Sequence, residues 1–462
     1  MLSVSMDTLF YWGNRVAENI LIVGNGFDLS HYLPTKYDHF MDVMDAIESS
    51  TNNEMSFDDL FVKSREPWFI AKTKEYYQTE SIHLDKEQLT EIRGLLKENC
   101  WYKYFKDHIK DIKTWIDFEQ KIESVLKVFG KRVVEIQDLE KEQDILNYIN
   151  FHKSANSKVS QKDLKVLNFF DFTIVEKFNR LEPYNGSFGS MFKNTTSTLS
   201  KINKKFCIGN DPANGFSSDN FINYINSQLS EFIKIFNLYL VRIIDQLHSK
   251  LNLNIQSNDW EVLNKIYSFN YTSTYTKNYE ELDTDYLHGR CGKNQNIVLG
   301  ISELKDDSLR ELKAYGFTKY HQKLFKETDY LFLDEYSKKA EESLEKYTKH
   351  KATNYANYQI EQQREQGFSK LLSLNINFYI WGHSLDVSDR DYIEEIFSLN
   401  DDIDRNVRVV VYYFDNSAKF SLLNNLLAIL GKDKVEKWMK KKWLHFKPNP
   451  QINFEVEQQQ IA

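Results

Sequence analysis

With 462 residues, 41% hydrophobic and 15% aromatic, the chain exceeds one minimal core and suits a large α/β domain with a substantial insertion, or two domains. A net charge of −8 argues against a general nucleic-acid footprint, and Lys440-Lys441-Lys442 reads as a solvated helix end. No apolar run approaches the roughly 18 residues of a membrane span, no secretory leader is evident, and Cys100, Cys207 and Cys291 stand too far apart for a disulfide or zinc framework; a cytoplasmic setting is expected.

The first structured stretch is Ile20-Leu21-Ile22-Val23, short, rich in β-branched residues and without polar alternation, running into Gly24-Asn25-Gly26. That pattern predicts a strand buried on both faces, as in a parallel sheet, followed by a tight turn. Helical spacing resumes over about 37–44 (YDHFMDVM). A strand, a glycine turn and a helix make a corner suited to phosphate, since glycine lets the backbone come close and the helix start offers amides and a favourable dipole. Taken alone, Gly-x-Gly is a weak signal.

From about 42 to 260 the apolar runs give way to long polar stretches of helical spacing, such as DLEKEQDILNYINF and FINYINSQLSEFIKIFNLYLVRIIDQL, which predict a helical insertion. Its loops are marked by Glu182-Pro183-Tyr184-Asn185-Gly186 and Gly209-Asn210-Asp211-Pro212. Within it, Trp115-Ile116-Asp117-Phe118-Glu119 sets two carboxylates two residues apart at the start of an amphipathic helix, where capping by Asp117 outweighs catalysis.

The sheet resumes at Lys265-Ile266-Tyr267-Ser268-Phe269, which ends in Asn270-Tyr271-Thr272. Two further extended pieces follow, Asp285-Tyr286-Leu287 before His288-Gly289 and Ile297-Val298-Leu299 before Gly300. A second helical, charged insertion, an arm or lid, spans about 303–366 and includes KKAEESLEKYTKH and QIEQQREQ. The next strand, Asn377-Phe378-Tyr379-Ile380-Trp381, meets Gly382-His383-Ser384; another over 407–414 meets Asp415-Asn416; Trp443-Leu444-His445-Phe446 closes the sheet, and a glutamine-rich tail frays. The expected core is therefore 1–45, 261–302 and 370–450, with a helical insertion at 46–260, a helical arm at 303–369 and a frayed tail at 451–462. Every polar or glycine-bearing motif falls at the carboxyl end of a strand, where open parallel sheets collect ligands.

The ordered set GNGFD, FNYT, LHG, IVLG and GHSLD, with Leu33-Pro34-Thr35-Lys36-Tyr37 and the segment from Trp115 to Glu119, resembles the AbiH family of bacterial phage abortive-infection proteins across most of the chain. That family is in turn similar, at fold level, to sirtuin-type NAD-binding domains, so the resemblance implies a Rossmann-like (sirtuin-like) parallel sheet with large helical insertions and NAD as substrate. Residue by residue it implies that Gly24 and Gly26, with Asn25, Asp28 and Thr272, hold the nucleotide; that Asn270 positions a water beside the nicotinamide ribose; and that His288 contacts ribose hydroxyls or acts as base. Gly382 and Ser384 would bind phosphate, and Asp415 or Asn416 the adenosine end. Asn25, Phe27-Asp28 and Lys36-Tyr37 depart from the sirtuin pattern, and no four-cysteine zinc module is present, which favours NAD hydrolysis over deacylation. The expected partners are a small-molecule nucleotide, a phage-derived or host protein as trigger, and a second copy of the chain, with no membrane and no nucleic acid.

Two other readings stay open. Ser384, Asp415 and His445 follow the Ser, Asp, His order of α/β-hydrolases after an apolar strand, although Asp386 occupies the position where a nucleophile elbow needs glycine. A nucleotide-sensing module without catalysis is the other. His31, His39, His288 and His383 lack metal-ligand spacing, so no metal is expected.

Overall fold

The computed structural model describes residues 17–112, 114–141, 160–183, 192–328, 331–351, 372–401 and 403–455. Six strands form the central sheet: β1 (Glu18–Val23), β2 (Lys265–Ser268), β3 (Thr284–Tyr286), β4 (Ile376–Trp381), β5 (Val407–Tyr413) and β6 (Leu444–Pro448). Their spatial order is β6-β5-β4-β1-β2-β3, and every pairing is parallel. This is the doubly wound, Rossmann-like order, with its reversal between β1 and β4.

The physical reason lies in the apolar runs. Ile20, Leu21 and Ile22 are fully enclosed, Ile20 and Ile22 packing with Phe378, Ile380 and Val409 on one face and Leu21 and Val23 with Tyr379, Trp381 and Tyr412 on the other. A strand apolar on both sides must be covered on both sides, which a central parallel position provides. Val23 lies level with Ser268 on one side and Trp381 on the other, so Gly24, Phe269 and Gly382 leave the sheet side by side.

The expected helix after the glycine turn is present as α1 (Asn25–Ser30) and α2 (Tyr37–Ser49). The first insertion contributes α3 (Trp115–Lys141) and α4 (Ser218–Tyr239), which share a large aromatic core with α2 through Phe40, Phe118, Phe232 and Phe236. Leu240–Ile244 continues α4 as a π turn. The second insertion supplies α5 (Lys319–Lys326) and a helix at Asp334–Lys351, while QIEQQREQ lies outside the described residues, as does most of DLEKEQDILNYINF. Among the described residues no helix is long and apolar enough to cross a membrane.

Three local expectations are corrected. Ile297-Val298-Leu299 is buried but joins no sheet, because the Val298 amide donates to His288 O (2.8 Å) and the Leu299 amide to the Gln322 side chain (3.1 Å), leaving no ladder to form. The first insertion is not wholly helical: Thr173–Pro183 and Phe192–Ile202 pair as an antiparallel hairpin, so Glu182 and Pro183 end a strand, and 184–186 of the expected loop lie outside the described residues. Finally, the tail does not fray from 451. Gln451–Glu455 pairs antiparallel with Asn252–Gln256, and the stacking of Phe454 on Tyr76 (4.1 Å between centroids) anchors it, so main-chain bonding and an aromatic contact outweigh its polar composition.

Candidate functional site

The glycines of the first turn lie against the backbone of the loop after β4. The Gly24 amide donates to Trp381 O (3.0 Å) and the Gly26 amide to Gly382 O (2.9 Å), so the two loops of the switch point are stitched to one another. A Cβ on Gly24 would lie 2.6 Å from His383 Cα, and one on Gly26 would lie 2.7 Å from Gly382 Cα. Gly382 itself sits at φ +74, with a built Cβ 2.1 Å from the Phe27 nitrogen. The close approach that glycine permits here is backbone to backbone. Gly26→Val is therefore expected to lower folding stability by about 1–3 kcal/mol or more, because the opposing atoms are main chain and cannot yield; a thermal melt indistinguishable from that of the parent would contradict this packing.

Asn270, at the end of β2, turns its amide back onto this corner, donating to Gly24 O (2.9 Å) and Asp28 Oδ1 (3.0 Å). Thr272 donates to the other oxygen of Asp28 (2.6 Å), and the Thr272 and Thr274 hydroxyls meet at 3.2 Å. Burial pushes the Asp28 carboxyl up to about 6, although the hydroxyls of Thr272 and Thr274 and the Asn270 amide pull against it. Asn25 is fixed from the other side, its side-chain oxygen accepting from Thr35 (2.7 Å).

Above these strand ends lies a cavity of about 290 Å3 whose walls come from three parts of the chain. The sheet contributes Gly24, Asn25, Asp28, Asn270, Thr272, His288, Gly382, His383, Ser384 and Asp389; the first insertion contributes Trp115 and Glu119; the second contributes Lys319. Gly26 lies behind this wall, while Asp415 and Asn416 stand exposed outside it, with Asp415 capping the helix Asn416–Leu430 through the Ala418 amide (2.7 Å).

A buried ionic cluster forms one side of the cavity. Lys319 Nζ stands 2.8 Å from Glu119 Oε1 and 3.1 Å from Asp389 Oδ1. The other oxygen of Asp389 is 3.3 Å from His383 Nε2, and the Leu385 amide donates to His383 Nδ1 (3.0 Å), so Nδ1 accepts and the ring proton sits on Nε2, facing the carboxylate. His288 Nε2 lies buried 3.3 Å from Asp389 Oδ1, close enough to be attracted but too poorly aligned to make a regular hydrogen bond. The hydroxyl of Tyr37, a fully enclosed residue that also lines the cavity, has no hydrogen-bond partner among the described residues either. A polar ring nitrogen left without a hydrogen bond on a cavity wall is costly unless a ligand completes it.

The protonation states follow from burial set against pairing. Burial works against the Lys319 ammonium, but Asp389 and Glu119 more than offset it and hold its pKa well above the ordinary lysine value. Burial works against the Asp389 carboxylate too, yet Lys319 and the imidazoles keep it well below the ordinary carboxylate range. Burial, helped by Asp389 and Asp386, pushes Glu119 up to about 7 against the opposing pull of Lys319. Burial drives His288 down to about 4 against the opposing pull of Asp389, so its imidazole is neutral near pH 7.

The carboxylate pair near Trp115 divides as its spacing predicts only in part. Thr114 and Asp117 form a reciprocal cap, with the Thr114 amide donating to Asp117 (2.9 Å) and the Asp117 amide to the Thr114 hydroxyl (3.2 Å). Glu119, two residues on, turns inward to the cavity. Lys319 and Asp389 escaped the sequence reading altogether. The available signal was a lysine and a glutamine, Lys319 and Gln322, buried on a helix whose Tyr320, Leu324 and Phe325 face outward, an inversion of ordinary amphipathic order.

The serine-hydrolase constellation is not assembled. His445 Nε2 donates to Lys442 O (3.0 Å) from an edge strand, where it lies level with Val410 within β5, and Asp415 is engaged as a helix cap. Ser384 therefore has neither a base nor an orienting carboxylate of that set beside it.

A parallel sheet in Rossmann order with a charged cavity at its switch point defines an α/β protein of the Rossmann-like class. A family model described as bacteriophage abortive infection AbiH matches residues 20–413, and the chain belongs to that family. No curated protein and no solved structure matches the chain.

Proposed function

We propose that this protein acts in abortive infection by binding NAD in the switch-point cavity and hydrolysing its nicotinamide–ribose bond. The observation that carries the reading is the buried set of Glu119, Lys319, Asp389, His288 and His383 on one wall of a cavity placed where Rossmann-like sheets bind ligands. Family membership supplies the defence context. At about 290 Å3 the cavity stands at the small end of the roughly 300–1,000 Å3 usual for ligand sites, which suits the reacting half of a dinucleotide.

The reaction needs no redox partner. Water adds to the ribose carbon as its bond to nicotinamide breaks, the bonding pair neutralises the pyridinium ring, and one proton is released. The protein has to fix the ribose, exclude bulk water and accept that proton. In this reading Asn270 holds the first loop in place and borders the ribose, and neutral His288 turns its ring towards a ribose hydroxyl. Gly382 and Ser384 border the phosphates, with Asp415 and Asn416 further out towards the adenosine end. Walls drawn from both insertions suit a resting state in which access is restricted.

Cellular NAD is the direct test in vivo: it is expected to stay level before infection and to fall after it. A protein that blocks phage while NAD stays constant, yet gains thermal stability with NAD, would instead be a nucleotide sensor without catalysis.

A further inference from the structure

We propose that Glu119, carried into the cavity by the first helical insertion, is the catalytic base that takes the proton of the attacking water. The inference rests on the hydrolysis reading above and adds to it a residue from outside the Rossmann-like sheet. Asn270 is occupied, its amide donating to Gly24 O and Asp28, so it can orient a water only through its remaining oxygen. His288 is neutral and too weakly basic at pH 7 to drive the step. Asp389 is held ionised by Lys319 and flanked by two imidazoles, which fixes it as the anchor of the cluster.

Glu119 differs in each respect. One carboxylate oxygen is tied to Lys319 at 2.8 Å, the side chain is 14% exposed and lines the cavity, and its affinity for a proton is close to neutral. The same wall holds His288, whose Nε2 makes no hydrogen bond there, a sign that a polar ligand completes this surface. The groups facing Glu119 are Lys319 on α5, Asp386 and Asp389 after β4, and Tyr271 after β2; burial and the two aspartates raise its pKa while Lys319 lowers it. A carboxyl balanced in this way can accept the proton when water attacks and pass it to solvent, with Lys319 and Asp389 remaining as a neutral pair throughout.

Glu119→Gln preserves shape and leaves Lys319 an oxygen acceptor. Purified Glu119→Gln is expected to keep the parent's melting temperature and NAD affinity while turnover drops at least about a hundredfold. The rise in rate through about pH 7 should vanish with it. Glu119→Asp, which retains a carboxylate, should recover part of the turnover. Full turnover with an unchanged pH profile in Glu119→Gln would overturn the assignment. If the parent itself consumes no NAD, the NAD reading fails and the base assignment falls with it; if the parent consumes NAD and Glu119→Gln does so equally well, the assignment alone fails.

Discussion

Replacing Lys319 by methionine is expected to destabilise the protein by about 3–5 kcal/mol, the usual consequence of removing one partner of a buried ionic set. Lys319 is 5% exposed and neutralises two carboxylates that are themselves largely enclosed, so its loss leaves Glu119 and Asp389 facing one another without a cation. Both would then bind a proton more tightly in the folded state than in the unfolded chain. A group with a raised folded pKa contributes stability below its unfolded pKa and loses it as pH rises. The deficit of Lys319→Met should therefore be largest at and above neutral pH and should shrink on acidification towards pH 5. Urea unfolding across that range measures it; a deficit independent of pH, or one below about 1 kcal/mol, would show that the cluster is not the tightly coupled unit described here.

The second large effect lies in turnover. On the proposed reaction, His288→Ala and Asn270→Ala are each expected to slow NAD hydrolysis by roughly a hundredfold or more, the first by removing the contact proposed at the ribose, the second by releasing the Gly24 and Asp28 corner that Asn270 holds. Ser384→Ala should cost only a phosphate contact, on the order of 1 kcal/mol, seen mainly in KM. Circular dichroism guards against misfolding. An inactive Ser384→Ala beside fully active Asn270→Ala and His288→Ala would revive a serine nucleophile and refute these roles.

Much of the sheet was legible because its signal is local. A short, largely apolar run meeting a glycine or a polar turn residue predicts a buried strand and a turn without knowledge of its neighbours, and β1, β2, β4 and β5 all follow that pattern. The hairpin of Thr173–Pro183 and Phe192–Ile202 was missed although FKNTTSTLSKI is rich in threonine and lacks helical spacing, because the long helices on either side set the expectation for the whole insertion. The pairing of Gln451–Glu455 depends on Asn252–Gln256, some 200 residues earlier, and no property of the tail alone announces it.

The site was legible in part for the same reason. Gly24, Asn270, His288 and Gly382 sit at strand ends, and strand ends of a parallel sheet converge whatever the loops do. Glu119, Lys319 and Asp389 come from an insertion helix, an arm and a short turn; only tertiary packing brings the two carboxylates within 3.1 Å of the Lys319 ammonium, and their types are among the commonest on any surface. The glycines show the converse. Their spacing reads as a phosphate loop, but Gly26 meets Gly382 and not open space, a distinction visible only once the second loop is in place.

The most direct measurement is chromatography of NAD incubated with the purified protein, sampled over time and compared with Glu119→Gln. The account predicts equimolar nicotinamide and ADP-ribose from the parent and none above background from the variant. NAD left intact by a folded parent that nonetheless protects cells from phage, or cleaved equally by parent and variant, would contradict it.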